Sequence, residues 1–288
     1  MQKVDVVIIG CGPAGMTAAL YLTRGGYSVV IFDGNGYGGQ MANAPLIENY
    51  PGFTGRGFEL AEAMWEQIGD RAALYIENVI DVVSNEPFSF TTMGEYGTKI
   101  TSKAVIIATG GSPRTLTIPG IDKPHVHYCA TCDGPLYKNK TVALIGDANS
   151  ALQYAVELSK IAKEVHVLAL FDRLFGEEIW KKRVLGKDNI HVHYNFATKE
   201  ITDNMVIAVS GEQVQADGVF VAIGYEPNVP TTHLYSPTNA GGYIITTPQC
   251  DVDDDIFVIG DVRAKNYRQV ASAVNDGMVA ALTLMKRI

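Results

Sequence analysis

Twice along its 288 residues the chain sets a short apolar run against a tight loop and follows it with a helix. The first copy is "VDVVIIGCGPAG" (4–15), and it restricts the fold more than any other segment. Residues 4–9 predict a buried strand. "GCGPAG" then turns the chain into a helix expected from about Met16 to Arg24, which Gly25 and Gly26 stop before the next strand, "YSVVIFD" (27–33). This is a βαβ unit of about 30 residues, which commits the region to a parallel sheet. Its loop fits G-x-G-x-x-G: Gly10 permits the tight turn, Gly12 lets a pyrophosphate approach the backbone, and Gly15 lets helix and strand pack closely. Pro13 and Ala14 complete the loop, and the helix N-terminus offers unpaired N–H groups to phosphates. Asp33, followed by Gly34, ends the second strand at the offset where an acid accepts hydrogen bonds from ribose hydroxyls. Strand, helix and acid agree, so a dinucleotide site is expected.

The second copy, "TVALIGDANSA" (141–151), opens the helix "SALQYAVELSKIA" and leads to the strand "EVHVLAL" (164–170). Between the copies lie an expected amphipathic helix, "FELAEAMWEQIGDRAA" (58–73), and alternating strands around "FSFTTM" and "GTKITSKAVIIATG". The Gly/Pro-rich "GGSPRTLTIPGIDKP" reads as a crossing out of the first unit and "NAGGYIITTP" as the return. The fold class is therefore α/β, with two Rossmann-like domains, the second inserted into the first. Residues 1–113 and 245–288 form one domain, and 114–244 form the insert. The last segment, from "DIFVIGD" onward, reads as strand, loop and long amphipathic helix.

Composition narrows the partners. A net charge of −8 argues against a nucleic-acid surface, which needs clustered Lys and Arg. The run Lys181-Lys182-Arg183 reads as a solvated helix face. The apolar start is too short for an export signal, and no stretch approaches the ~20 apolar residues of a membrane helix. With only four cysteines, a cytoplasmic protein without a disulfide framework is expected. In that setting the close pair Cys129–Cys132 in "HYCATCDG" points to redox chemistry or to metal. A C-x-x-C at a helix N-terminus lowers one thiol pKa and lets the two sulfurs close reversibly. The alternative is a zinc site from His125, His127 and the two cysteines, although neighbours so close in sequence seldom converge tetrahedrally. Cys11 and Cys250 read as packed thiols, and His191 and His193 as surface or packing residues.

Three further segments, "GYGGQMANAPLIENYPGF" (36–53), "IIATGGSPR" (106–114) and "VIGDVRAKNYRQVASAVNDG" (258–277), resemble in order and spacing the FAD-binding segments of the low-molecular-weight thioredoxin reductase family. The resemblance runs over nearly the whole chain. It implies FAD as cofactor, with Gly38, Gly39, Gln40 and Asn49 along the flavin. It places Thr109 and Gly110 in the middle segment, Gly260 and Asp261 at the ribityl chain, and Arg268, Gln269, Val270 and Ala271 towards the isoalloxazine edge. It also implies a redox-active Cys129–Cys132 pair, with Asp133 moving protons. Zinc then falls away, and no metal is expected. Thioredoxin is the implied acceptor, in a homodimeric enzyme.

The second loop departs from the family pattern. NADPH-using members carry G-x-G-x-x-A there and a His-Arg-Arg stretch at the end of the next strand. This chain keeps Gly146 and Ala151 but has Ala148 at the second glycine position, where a Cβ obstructs a pyrophosphate. Asp147 adds a negative charge. Ala169, Leu170 and Phe171 replace the cationic stretch and Phe175 replaces a later arginine, leaving Arg173 out of register. These departures predict an FAD-dependent disulfide reductase that does not bind NAD(P)H, and the resemblance to a subgroup of the family that takes electrons from reduced ferredoxin implies that donor. The basic run at 181–183, or Lys138 and Lys140, would face that donor. The alternatives are an NADPH enzyme with an unusual pocket, a member using reduced deazaflavin or a second flavin, and a flavin redox sensor without turnover.

Overall fold

The protein is described by a computed structural model covering residues 2–230, 234 and 237–288. The first stretch contains β1 (Gln2–Ile9), α1 (Pro13–Arg24), β2 (Val29–Phe32), α2 (Gly39–Ala42), β3 (Ile47–Tyr50), β4 (Phe53–Gly55), α3 (Gly57–Ile68), β5 (Ala72–Tyr75), β6 (Val79–Glu86), β7 (Ser89–Gly94), β8 (Lys99–Ile107) and β9 (Gly111–Pro113). A second group follows: β10 (Val126–His127), α4 (Ala130–Asp133), β11 (Thr141–Ile145), α5 (Asn149–Leu158), β12 (Glu164–Leu168), α6 (Glu178–Leu185), β13 (Ile190–His193), β14 (Thr198–Ile201), β15 (Met205–Ala208), β16 (Gln213–Gln215) and β17 (Gly218–Val221). The chain closes with β18 (Tyr225–Pro227), β19 (Ile256–Val258) and α7 (Val270–Leu284).

Two compact units result: Met1–Ser112 with Glu226–Ile288, and Pro113–Tyr225 between them. The outward crossing lies within a residue of its expected place. The return lies at Tyr225/Glu226, earlier than the expected position near 244. The reason is burial: Ile244 is fully enclosed in the core of the outer unit, with Val229 and Leu234 packed against it. Ile244 thus anchors "NAGGYIITTP" to that core, inside the outer unit and not at its boundary.

In the outer unit the sheet order is β5-β2-β1-β8-β7-β6, with β19 also on β8. The pairs β1/β2, β1/β8, β2/β5 and β8/β19 are parallel, and β7 is antiparallel to both β6 and β8. The parallel strands are buried on both faces, so they read as continuous apolar runs: Val6 to Ile9, Val29 to Phe32 and Ala104 to Ile107 are all below a tenth exposed. Register sets Ile9 beside Phe32 and Ile107, and Ile107 beside Val258. The loops after β1, β2, β8 and β19 therefore leave the sheet at one carboxyl edge. α1 lies against α7, and only glycine fits at 277, where a Cβ would come within 2.4 Å of the Ala14 carbonyl oxygen.

The amphipathic helix expected over 58–73 ends at Ile68. Gly69 takes φ +57°, and Ala72 and Ala73 enter β5, paired with Val29 and Val30. Tertiary pairing there overrides the local helical pattern. The inner unit has a parallel sheet in the order β10-β17-β11-β12-β13, and a separate antiparallel sheet β14-β15-β16. Among the described residues no helix is long and apolar enough to cross a membrane.

Candidate active site

Gly10 opens the first loop at φ +109°, and a Cβ there would lie 2.2 Å from the Ala108 carbonyl oxygen. A Cβ on Gly15 would meet the Gly10 carbonyl oxygen at 2.0 Å. Gly12 caps α1 in extended backbone (φ −75°, ψ −176°), and nothing lies within 4 Å of where its Cβ would stand. Two of the three glycines therefore serve chain packing, and the third leaves space in front of the helix N-terminus for a phosphate. Asp33 accepts hydrogen bonds from the backbone N–H groups of Cys11 (2.7 Å) and Asn35 (2.9 Å). The acid thus braces the loop as well as ending the strand.

The other expected segments converge on the same edge of the outer unit. The Gly38 N–H donates to the Cys11 carbonyl at 2.8 Å, tying the turn into α2 to the first loop. A Cβ on Gly39 (φ +53°) would lie 3.2 Å from the Gly12 Cα. Asn49 Nδ2 donates to Gln269 Oε1 at 3.2 Å, which joins two residues 220 apart in sequence. Gln269 caps α7, so Val270 and Ala271 open that helix. Thr109 Oγ1 donates to the Asn228 carbonyl (2.6 Å), Asn228 Nδ2 returns a bond to the Thr109 carbonyl (3.1 Å), and the Asn228 N–H reaches the Gly110 carbonyl (2.9 Å). Asn228 is a bracing residue that sequence reasoning missed. It carries no motif of its own and is found only through the return of the chain.

The segment from Gly260 to Gln269 is held by a buried acid that the sequence also concealed. Asp276, on α7, receives the Gly260 N–H (3.1 Å), Arg263 Nη1 (2.8 Å) and Lys265 Nζ (3.1 Å). Two buried polar atoms on this segment bear on what it can hold. Asp261 Oδ1 and Arg268 Nε are buried and have no hydrogen-bond partner among the described residues, although the Lys265 ammonium stands 3.2 Å from Asp261 Oδ1. A buried donor left at Arg268, on the same segment as the buried Asp261 oxygen, fits a polar cofactor such as FAD.

In the inner unit Cys129 and Cys132 form a disulfide. Cys129 caps the single turn α4, and the Cys132 N–H donates to Cys129 Sγ at 3.2 Å. Cys132 is exposed, whereas Cys129 is half-buried. Asp133 Oδ2 stands 3.3 Å from His127 Nδ1, and His127 Nε2 is 2.7 Å from the Tyr137 hydroxyl. His125 Nε2 is bound to the Thr202 carbonyl at 3.1 Å. Each of the four donors of the zinc alternative has another partner, and among the described residues they form no group of three that could hold a metal ion. Cys11 and Cys250 are buried, and burial pushes the Cys250 thiol up to about 11 and that of Cys11 higher still. His193 links His166 (3.0 Å) to Glu212 (2.7 Å), a packing role across β12 and β13.

The second loop copies the backbone of the first and changes its chemistry. Gly146 sits at φ +143°, and a Cβ there would lie 2.4 Å from the Ala222 carbonyl oxygen. Ala148 caps α5 at φ −105°, ψ −178°, close to the conformation of Gly12. Its methyl group therefore stands where the first loop is open. The acid is moved as well. In the first unit Asp33, after the strand, accepts from the loop, whereas in the second Asp147, in the loop, accepts from the Leu170 backbone N–H after β12. Burial raises the Asp147 pKa, and that hydrogen bond opposes the rise. At the strand end Leu170, Phe171 and Phe175 are about half exposed, the two phenylalanines meet edge-on, and the Arg173 guanidinium lies over the Phe175 ring.

Comparison with known proteins agrees with this architecture. Residues 4–277 match the family described as pyridine nucleotide-disulphide oxidoreductase. The chain is 34% identical to thioredoxin reductase of Bacillus subtilis, covering 96% of this chain and 92% of that one. It is also 34% identical to a 34.2 kDa protein in the rubredoxin operon of Clostridium pasteurianum, over 100% and 98% of the two chains. The crystal structure of Lactococcus lactis thioredoxin reductase, in its FR conformation, superposes with a TM-score of 0.93 at 33% identity, covering 99% of this chain and 98% of the other. The chain belongs to the pyridine nucleotide-disulphide oxidoreductases and, within them, to the low-molecular-weight thioredoxin reductase family.

Proposed function

We propose that the protein is an FAD-dependent reductase of thioredoxin disulfide that draws its electrons from reduced ferredoxin and does not use NAD(P)H. The observation that carries the donor assignment is the second loop, where Ala148 brings a methyl group to the backbone conformation that Gly12 leaves open in the first, and the neighbouring Asp147 adds a carboxylate bound to the Leu170 N–H. A pyrophosphate there would meet a Cβ and a like charge, and Leu170 and Phe171 supply no cation for a 2′-phosphate.

FAD would be held by the loop from Gly10 to Gly15, by Asp33 and Gly34, by Gly38, Gly39, Gln40 and Asn49, by Thr109 and Gly110, by Gly260 and Asp261, and by residues 268–271. When bound, it supplies the conversion of one-electron delivery into two-electron reduction. Two electrons and two protons open the Cys129–Cys132 bond, giving two thiols. One of them, as thiolate, attacks the disulfide of thioredoxin, and the other then displaces the mixed disulfide, leaving thioredoxin as a dithiol. Asp133 exchanges protons with the sulfurs. The pair opens and closes in this cycle, which suits a reducing cytoplasm. Exposed Lys182 on α6, with Lys138 and Lys140 beyond the dithiol turn, would steer an acidic ferredoxin, whereas Lys181 is neutralised by Glu178 at 2.8 Å. Homodimeric assembly follows from the family resemblance.

The test is anaerobic flavin absorbance after mixing with NADPH, NADH, reduced ferredoxin or reduced deazaflavin. Bleaching by ferredoxin alone, coupled to reduction of thioredoxin, is the expected outcome. Rapid bleaching by NADPH overturns the donor assignment, and bleaching only by deazaflavin reassigns it.

A further inference from the structure

Directly beside the disulfide the structure links Asp133 to two residues, His127 and Tyr137, that the disulfide chemistry above does not use. His127 sits at the end of β10, two residues before Cys129, with its side chain only 13% exposed. Its ring is clamped between the Phe220 ring of β17 (centroids 5.3 Å apart) and the edge of Tyr137 (5.3 Å). Tyr137 is seated in turn against Gly218, where any Cβ would come within 2.2 Å of its ring. Both imidazole nitrogens are committed, Nδ1 to Asp133 Oδ2 and Nε2 to the Tyr137 hydroxyl.

We infer that His127 is the positioning residue of Asp133 and the proton reservoir from which Asp133 serves the Cys129–Cys132 pair. This rests on reading that pair as redox-active. The geometry suits the task in either protonation state. Neutral imidazole donates from Nδ1 to the carboxylate and accepts at Nε2 from the tyrosine O–H. Imidazolium donates from both nitrogens, and the hydroxyl turns to accept. The ring can thus gain or lose a proton with both contacts kept. The charged or titratable groups around it are Asp133 on α4, Tyr137 on the following turn, and, acting on Tyr137, the Lys140 ammonium 5.5 Å from its ring and Asp217. Burial, followed by the charges of Asp133 and Asp217, pushes the Tyr137 hydroxyl up, so it stays protonated as a fixed partner.

The proton path balances when a small dithiol is the reductant. One reductant thiolate displaces a cysteine sulfur, which leaves as thiolate and takes a proton from Asp133. The second reductant thiolate then releases a cyclic disulfide and the other cysteine thiolate, which takes the second proton. After each transfer the imidazolium returns a proton to Asp133 and is recharged from solvent. Two electrons and two protons pass to the protein pair, and nothing else is consumed.

The experiment measures iodoacetamide alkylation of Cys129 and Cys132 in the reduced, flavin-loaded full chain from pH 5 to 10, read by mass spectrometry. It compares the unmodified protein with His127→Asn, whose amide still reaches Asp133, and His127→Phe. In the unmodified protein imidazolium stabilises thiolate. Its alkylation profile is therefore expected to show a second inflection, below that of the thiol itself. Both variants lose this inflection. His127→Asn keeps the high-pH rate within about twofold, whereas His127→Phe loses about tenfold because the carboxylate is no longer held. An inflection that survives in both variants overturns the inference, as does a His127→Phe effect confined to melting temperature. Ferredoxin-driven thioredoxin reduction is measured separately. Its absence beside a shifted alkylation profile refutes the proposed function and leaves the His127 assignment standing, and the converse result refutes only the latter.

Discussion

Replacing Asp147 and Ala148 together by glycine restores a dinucleotide-type loop, and its consequences can be worked from the geometry. The backbone tolerates the change, because residue 148 is exposed, caps α5 in extended conformation, and glycine ranks above alanine as an N-cap. The cost is the hydrogen bond from the Leu170 N–H to Asp147, about 1 kcal/mol for a half-buried group. The gain falls on binding. A unit charge at about 5 Å in an effective dielectric near 20 repels another by about 3 kcal/mol before ionic screening. Opening the space at residue 148 admits backbone hydrogen bonds to pyrophosphate worth about 1.5–3 kcal/mol each. Discounting for salt and imperfect geometry leaves about 3–5 kcal/mol, an affinity gain of about a hundredfold to a few thousandfold. NADH benefits more than NADPH, because the strand end still lacks a phosphate clamp. The assay is NADH titration by calorimetry, with anaerobic flavin bleaching as the kinetic readout. The reasoning is refuted if the unmodified protein binds NADH as tightly as the double variant, or if the variant folds normally and gains nothing.

Gly10→Ala forces φ +109° on a residue whose Cβ would meet the Ala108 carbonyl at 2.2 Å; it should abolish FAD retention and lower stability by more than about 2 kcal/mol, measured by flavin content and urea unfolding. Asp276→Leu leaves Arg263 and Lys265 buried without their acid and is expected to cost about 3–5 kcal/mol, read from denaturant midpoints; a loss below 1 kcal/mol contradicts the bracing role. Burial alone would raise the Asp5 carboxyl, yet hydrogen bonds from Lys103 and Ser28 outweigh it and hold the pKa at about 2. A depressed carboxylate stabilises the fold above its ordinary pKa and loses that contribution as pH falls towards 2. Lys103→Met should therefore destabilise by under about 1 kcal/mol at pH 6, because the pair is solvent-screened, and by nothing near pH 2, as thermal melts at the two pH values would show.

Much of the outer unit was legible without coordinates because its constraints are local. A glycine that must adopt positive φ, a strand that must be apolar on both faces and an acid at a strand end all leave their mark within about 30 residues of chain. The cysteine pair is legible for the same reason, since four residues suffice to close it. The departure at Ala148 could also be read, because a missing glycine is visible wherever the rest of the motif survives. What escaped the sequence depends on distant segments meeting. The return of the chain at Tyr225 could not be seen because Ile244 looks like any apolar residue until a core closes over it. Asn228, Asp276 and Lys265 carry no pattern, and their meaning comes from the loops they brace. The end of α3 at Ile68 was decided by a strand partner over forty residues upstream, which claims Ala72 and Ala73 for the sheet. His127 was visible only as a possible zinc ligand, and the fold turned its two nitrogens to Asp133 and Tyr137. Sequence by itself determined the βαβ loops, the cysteine pair and the departure of the second loop from the first, because backbone sterics and side-chain chemistry act there over a few residues. Only the tertiary structure decided which buried charges hold the loops in place and which side chains His127 meets, because side-chain partners are chosen by proximity in space, and the chain order does not encode that proximity.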